Sequence, residues 1–270
     1  MKRGLFILLL MVSACTFAQC PVQNTAFQSG EHLEYKLYFN WKFIWKTAGT
    51  ASLTTKSTTY KGRPAFQTDL ITRTSGLVDR WFMMRDTLRA VYTTDIVPLY
   101  YRKGANEGGK YHLNEITYAH DNGEACLHQY YLRGSGRVTE VDNRLAACVY
   151  DMVSMVMRAR SYRASDFTQG QRIPFNLADG DKIRTETLIY RGVKKFTTEE
   201  AEKRTYRCLV FSYMEKDKKG EKEIVTFYVT DDDNHIPVRL DLNLRFGTAK
   251  AYLTKATGLR HSETSVLPSK

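Results

Sequence analysis

Val238-Arg239-Leu240-Asp241-Leu242-Asn243-Leu244-Arg245-Phe246 alternates apolar and polar residues without a break. A strand turns successive side chains to opposite faces, so this stretch puts its apolar residues on one face and its polar ones on the other. It predicts a half-buried antiparallel strand, one face on a core and one in water. Gly247 follows, and Ala249, Ala251 and Leu253 resume the alternation. Upstream, Leu37, Phe39 and Trp41 alternate with Lys36, Tyr38 and Asn40.

Working outward, turn chemistry divides the chain into hairpins. Strands over 206–215 and 223–230 flank Lys216-Asp217-Lys218-Lys219-Gly220, and Asp231-Asp232-Asp233-Asn234-His235 turns the chain into Pro237. Further strands are expected at 34–41, 49–57, 64–73, 86–93, 110–119, 125–132 and 183–190. One helix is expected over 145–160, where Val149, Met152, Val153, Val156 and Met157 recur at three- and four-residue spacing. Arg158, Arg160 and Arg163 crowd its C-terminal end, where cations meet the helix dipole favourably. A shorter helical turn is expected at 76–84. The predicted fold is mainly β: an antiparallel curved sheet or sheets, half-barrel or sandwich-like, with one amphipathic helix packed against it.

Composition agrees. The 270 residues are 43% hydrophobic and 26% charged, with 17 Tyr, 13 Phe and only 6 Pro, which excludes disordered, collagen-like and low-complexity chains. Lys2 and Arg3 precede the uncharged run Gly4 to Val12, which is too short to span a bilayer and has the form of a secretory signal. Two processing sites compete. Thr16-Phe17-Ala18 suits ordinary cleavage, leaving 1–18 as signal peptide and 19–270 as a single β-rich domain with its core over about 26–255. Val12-Ser13-Ala14-Cys15 also fits a lipobox, which would make Cys15 a lipidated first residue. The expected location is therefore the periplasm or the periplasmic face of the outer membrane, with lipid anchoring as the alternative. An oxidising compartment permits disulfides, and pairing Cys20 with Cys148 would tie the N-terminal segment to the helix. Cys126 and Cys208 then read as small core hydrophobes.

The order of short motifs resembles an exported bacterial family. These are Gly30-Glu31 with Leu33-Glu34-Tyr35, Ala48-Gly49-Thr50-Ala51 after an aromatic strand, Tyr150-Asp151-Met152-Val153-Ser154, and Pro237-Val238-Arg239 leading to Phe246-Gly247. The chain resembles the family called domain of unknown function 3108 over roughly residues 26–255. The resemblance implies a Gram-negative envelope protein with an antiparallel β fold. It implies no activity, cofactor or catalytic residue.

No catalytic arrangement is legible: there is no HExxH, GxSxG, GxxxxGK[ST] or GxGxxG after a strand. The expectation is a non-enzymatic protein without cofactor or metal. His112, His120 and His128 recur every eight residues but lack ligand spacing. Asp231 to Asn234 lacks the ligand pattern of an EF-hand loop and reads as a solvated turn. Asp151 and Ser154 suit the first turn of a helix better than a cavity.

Trp41-Lys42-Phe43-Ile44-Trp45 is expected to set three aromatics on one face, followed there by the small residues Thr47 and Gly49. With Trp81, and with Arg80 or Arg85 to meet an anionic group, Trp41, Phe43 and Trp45 are the candidate ligand-binding residues. The net charge of +11 is spread along many strands rather than gathered in a nucleic-acid motif, and export separates the chain from nucleic acid. The expected partners are a lipid, an anionic glycan or another envelope protein. The leading function is therefore binding of a lipophilic or glycan-like ligand on a curved sheet. A scaffolding role is the alternative, and an envelope hydrolase the third reading.

Overall fold

The computed structural model describes residues 20–41, 44–121, 123–198, 203–218, 220–244 and 247–268. The expected cleavage after Ala18 and the alternative lipidation at Cys15 lie outside these residues. The first half of the chain runs β1 (His32–Trp41), β2 (Ile44–Tyr60), β3 (Arg63–Thr74), α1 (Gly76–Trp81), β4 (Met84–Thr93), β5 (Pro98–Glu107), β6 (Lys110–Asp121), β7 (Glu124–Leu132) and β8 (Val138–Leu145). A two-residue strand, β9 (Val149–Tyr150), leads into α2 (Met152–Ala159) and a short 3-10 turn at Ala164–Asp166. Then come β10 (Arg172–Asp179), β11 (Lys182–Thr197), β12 (Thr205–Asp217), β13 (Gly220–Thr230), β14 (Pro237–Leu244), β15 (Gly247–Thr257) and β16 (Val266–Leu267).

The strands form one sheet in the order β8-β7-β6-β5-β4-β3-β2-β1-β15-β14-β13-β12-β11-β10-β9, with β16 added to β12. It is two antiparallel meanders joined where β1 pairs with β15. The β9–β10 pair is parallel. The sheet curls until its two flanks meet, and side chains rather than a backbone ladder make the closure. Asn114 Nδ2 on β6 donates to Asp179 Oδ1 at 3.3 Å, and Gln129 Nε2 on β7 donates to the Gly180 carbonyl at 3.0 Å. Arg133 and Asp181 pair at 2.8 Å. The result is a nearly closed, barrel-like sheet.

Three expectations need correction. The helix does not begin at 145: Leu145 ends β8, Val149 and Tyr150 pair with Asn176 and Leu177, and Asp151 caps a helix that starts at Met152. Val149 matches the helical spacing, but it is buried by that strand pairing. The alternation from Val238 is also broken. Tyr228 faces Arg239 while Val229 faces Pro237, so Val238 is the extra residue of a bulge. Val238 packs with Phe196, Tyr206 and Tyr252 on the outer face, whereas Leu240 joins the inner core. Strands β5, β8 and β10 lie outside the expected set altogether.

The inner face carries the main core, including Leu33, Tyr35, Leu53, Leu88, Tyr92, Tyr101, Ile116 and Leu127. Val153 and Met157 of α2 pack into it, while Met155 on the flank of the helix meets Tyr150 and Leu188. Gly49 sits at a bulge in β2 where an added Cβ would lie 2.0 Å from the Arg73 carbonyl, so no side chain fits there.

One end of the barrel is sealed. Residues 20–31, α2, the turn at 231–236 and the tail from 258 all converge on it. At the centre Arg160 Nη1 and Nη2 bond Glu31 Oε1 and Oε2 at 2.6 and 2.8 Å, and Nη2 also donates to the Asn234 carbonyl at 2.9 Å. Both side chains are almost fully buried, and the guanidinium lies 5.4 Å from the Phe27 ring centroid. Asn234 in turn holds the tail, donating to the His261 carbonyl and accepting from the His261 amide. Cys20 and Cys148 are disulfide-bonded, fixing the N-terminal segment beside α2. Removing one member of a buried ion pair strands the other, at a cost of about 3–5 kcal/mol, whereas replacing both by apolar residues is far milder. Glu31→Gln and Arg160→Met should each lower unfolding stability by about that much, and the double variant E31L/R160M by clearly less than the sum. Urea unfolding of the four proteins checks this.

Candidate functional site

The end opposite the seal is built from hairpin turns. It carries the β1–β2 connection, α1 between β3 and β4, and the turns joining β5 to β6, β7 to β8, β10 to β11, β12 to β13 and β14 to β15. On β1 and β13–β15 the inner-face apolar residues become more exposed toward this rim, whereas Ala105 on β5 stays buried. On β1, Leu33 is wholly buried and Tyr35 nearly so, while Leu37 is only half-buried. On β14, Leu240 and Leu242 are half-buried and Leu244 is exposed. Val225 of β13 and Ala249 of β15, which pair with Leu242, are half-buried as well. The inner face is thus packed at the seal and keeps partly exposed apolar side chains on β1 and β13–β15 toward the rim.

The expected aromatic face is not one strand. The chain reverses between Trp41 and Ile44, and Trp45 sits opposite Asn40. Trp45 therefore belongs to the outer face, where the Lys250 ammonium lies 4.4 Å from its ring centroid. Phe43 and the side chain of Trp41 lie outside the described residues. Trp81 ends α1 and is 81% exposed.

The two candidate arginines differ. Arg85 forms a two-pronged pair with Asp79, at 2.7 and 2.8 Å, and Thr74 Oγ1 donates to the same carboxylate. These hydrogen bonds hold the Asp79 carboxyl down at about 2 and fasten α1 to the ends of β3 and β4. Arg80 is exposed.

Sequence inspection overlooked Asp86 and Lys103. Both belong to the inner set of β4 and β5, in register with the core residues Leu88 and Tyr101 two positions along. Burial, reinforced by the charge of Glu107, pushes the Asp86 carboxyl up to about 6, with Lys103 opposing. Asp86 Oδ1 is buried without a hydrogen-bond partner among the described residues. The only available signal was a carboxylate in an inward position of a strand, which needs the strand phase to be known.

Other sequence candidates resolve structurally. Among the described residues no cluster of His, Cys, Asp or Glu could hold a metal ion. His112 accepts from the Gly134 amide, and His128 lies against Asp142. In the acidic turn, Asp232 Oδ1 accepts from Thr230 Oγ1 and the Asn234 amide, while Oδ2 accepts from the Ser265 amide, so its oxygens stitch the turn to the tail. Cys208 is a core residue whose thiol burial pushes up to about 12. Cys126 is not: it is half-buried in an open groove of about 400 Å³ on the outer face, beside His128 and Arg144. No helix among the described residues is long and apolar enough to cross a membrane.

Asp151 and Ser154 are fully buried and form a reciprocal cap. Asp151 Oδ1 accepts from the Val153 and Ser154 amides at 3.0 and 2.8 Å, and Oδ2 from Ser154 Oγ at 2.7 Å. Desolvation outweighs these bonds and raises the Asp151 carboxyl to about 6.

The family model "Protein of unknown function (DUF3108)" matches residues 34–254. No curated protein matches. Among solved structures, a beta-barrel-like protein of domain of unknown function DUF1849 from Brucella abortus shares 12% identity and a TM-score of 0.52, over 86% of this chain and 98% of its own. A Bacteroides fragilis protein with a YmcC-like fold shares 8% identity and a TM-score of 0.36, over 88% of this chain and 100% of its own. The first likeness shows the fold.

A carboxyl raised in the folded state contributes stability below its unfolded pKa and loses it as pH rises through the folded value. For Asp151 that window runs from roughly pH 4 to 6. Asp151→Asn keeps a capping oxygen and removes the titration. The variant should show a weaker fall in stability across that window than the wild type and be as stable or more so at pH 8. Asp151→Ala should lose about 1–2 kcal/mol through the missing cap. Thermal melts at pH 4, 6 and 8 check this.

Proposed function

We propose that this chain, which belongs to the DUF3108 family of proteins of unknown function, is an exported, non-enzymatic binding protein that holds a lipophilic molecule against the rim-side inner face of its sheet. The supporting observation is the burial gradient. Leu33 and Tyr35 at the sealed end are packed, whereas Leu37, Leu242, Val225 and Ala249 toward the rim keep apolar surface accessible. Ligand sites are concave and mainly apolar, with a few placed polar groups. Here Asp86 and Lys103 supply those groups on the β4–β5 wall, which suits an amphiphile with an apolar body and a polar head. This replaces the single-faced aromatic strip expected from residues 41–45 with the inner apolar wall, leaving Trp81 and Arg80 at the mouth. Export follows from the N-terminal segment and agrees with a disulfide between Cys20 and Cys148.

Native mass spectrometry of protein purified from the envelope, followed by organic extraction, should find a co-purifying lipophile. The purified protein should bind a fluorescent C18 fatty acid, and Leu37→Trp with Leu242→Trp should weaken that binding about tenfold while the fold is retained by circular dichroism. A bare polypeptide that also ignores the fatty acid would overturn the reading.

A further inference from the structure

Exposed apolar side chains are not scattered over this molecule. Nine large ones are exposed among the described residues. Leu77, Trp81 and Phe82 lie on α1 and its C-cap, between the rim ends of β3 and β4. Trp45, Tyr111, Val138 and Leu244 each stand at or next to the rim end of β2, β6, β8 and β14. Only Met152 and Val193 lie elsewhere. The chain's three tryptophans, Trp41, Trp45 and Trp81, also all fall at this end.

The same end is basic. Lys46, Arg73, Arg80, Lys110, Arg137 and Lys182 are exposed there. Its acids are largely engaged: Asp79 by Arg85, Asp181 by Arg133 and Glu221 by Arg172. Among the described residues of this end, Glu140 and Asp179 are the remaining exposed acids. Amphipathic aromatic rings, aliphatic side chains and cations gathered on one edge match the boundary of an anionic bilayer, where the rings sit at headgroup depth and the cations meet lipid charge. A soluble protein partner would not call for so many bases around so broad a ring.

From this asymmetry we infer that the open rim is a docking surface for an anionic lipid membrane, with α1 as its inserted element. Leu77, Trp81 and Phe82 enter the headgroup layer, and the surrounding lysines and arginines hold the barrel upright on it. The sealed end then faces away from the membrane. This inference concerns the rim's outer surface and stands whether or not the concavity carries a ligand.

The test is co-sedimentation of the mature protein with vesicles. One set contains phosphatidylglycerol with phosphatidylethanolamine, the other phosphatidylcholine alone. Tryptophan quenching by brominated lipids is read in parallel. The protein should bind the anionic vesicles, bind the neutral ones at least tenfold more weakly, and release as salt rises. Trp81→Ser with Phe82→Ser should weaken binding at least tenfold and abolish quenching of the remaining tryptophans. Arg80→Glu with Lys46→Glu should remove the preference for anionic lipid. Val193→Ser, far from the rim, should change nothing and controls for loss of an exposed apolar residue. All variants are checked for folding by circular dichroism. Three outcomes would overturn the inference. They are a folded wild type that stays in solution with anionic vesicles at low salt, binding untouched by the α1 variant, or rim-dependent dimers in sedimentation velocity without vesicle binding.

Discussion

A buried guanidinium dictates the plan of this molecule. Arg160 has been taken wholly out of water, and such a charge is tolerated only when its donors are matched by acceptors in a fixed geometry. The Glu31 carboxylate and the Asn234 carbonyl supply them, and each arrives on a different segment. Glu31 precedes β1, Arg160 follows α2, and Asn234 turns β13 into β14. Satisfying one side chain therefore fixes three chain segments in space. Asn234 extends the constraint to the tail through His261, and His235 bonds the Arg160 carbonyl in return. Gly258, with φ at +67°, lets the tail pass so close to Gly30 that an added Cβ would lie 2.1 Å from its carbonyl oxygen. Pairs of this kind add little net stability over an apolar replacement. Their effect here is to specify which end of the barrel is shut.

The strands that could be read in the sequence are those whose inner and outer faces differ in polarity. β1, β14 and β15 alternate because one side meets the core and most of the other side is polar, with Tyr38, Val238 and Tyr252 gathered in an outer cluster. β5 escaped notice because Lys103 occupies an inward position, which breaks the apolar phase. β8 is an edge strand whose exposed Glu140, Asp142 and Arg144 carry charge, the usual guard against pairing with other chains. β10 contains Pro174, tolerated because β10 meets only the two residues of β9 on its outer side. The helix was over-extended for the same reason in reverse. Val149 fits a helical repeat locally, but its burial comes from a strand far along the chain.

The site was less legible than the fold because its geometry comes from turns and register. Whether Trp41 and Trp45 share a face depends on whether the chain reverses between them, and a stretch of aromatics and lysine contains no turn signal. The bulge at Val238 likewise shifts the phase of β14 against β13, and Pro237 beside it reads in the sequence as a strand start rather than as a bulge. Glu31 was visible in the Gly30-Glu31 motif, and Arg160 as one of the cations at the end of the helix. Their pairing, across 129 positions of chain, was not visible. Arg85 and Arg80 are close in sequence, and only the fold shows that one anchors α1 while the other faces solvent.

Sealing one end has a consequence for the other. With the N-terminal segment tied by Cys20 to Cys148, and α2 wedged into the core through Val153, Met155 and Met157, the seal has no segment left that can swing away without exposing a buried charge. The rim is the end left for a molecule to reach the inner face on the proposed reading. On the proposed binding reading α1 would govern access, since it lies between β3 and β4 at the mouth and is held by the Asp79–Arg85 pair rather than by a buried apolar face. A partly exposed ion pair of this kind is a lighter fastening than a buried apolar face. The molecule thus joins a rigid, desolvated base to a lightly held apolar lip. In a protein that receives or releases a water-insoluble molecule, the lip is where transient opening costs least and where contact with a lipid surface is most useful.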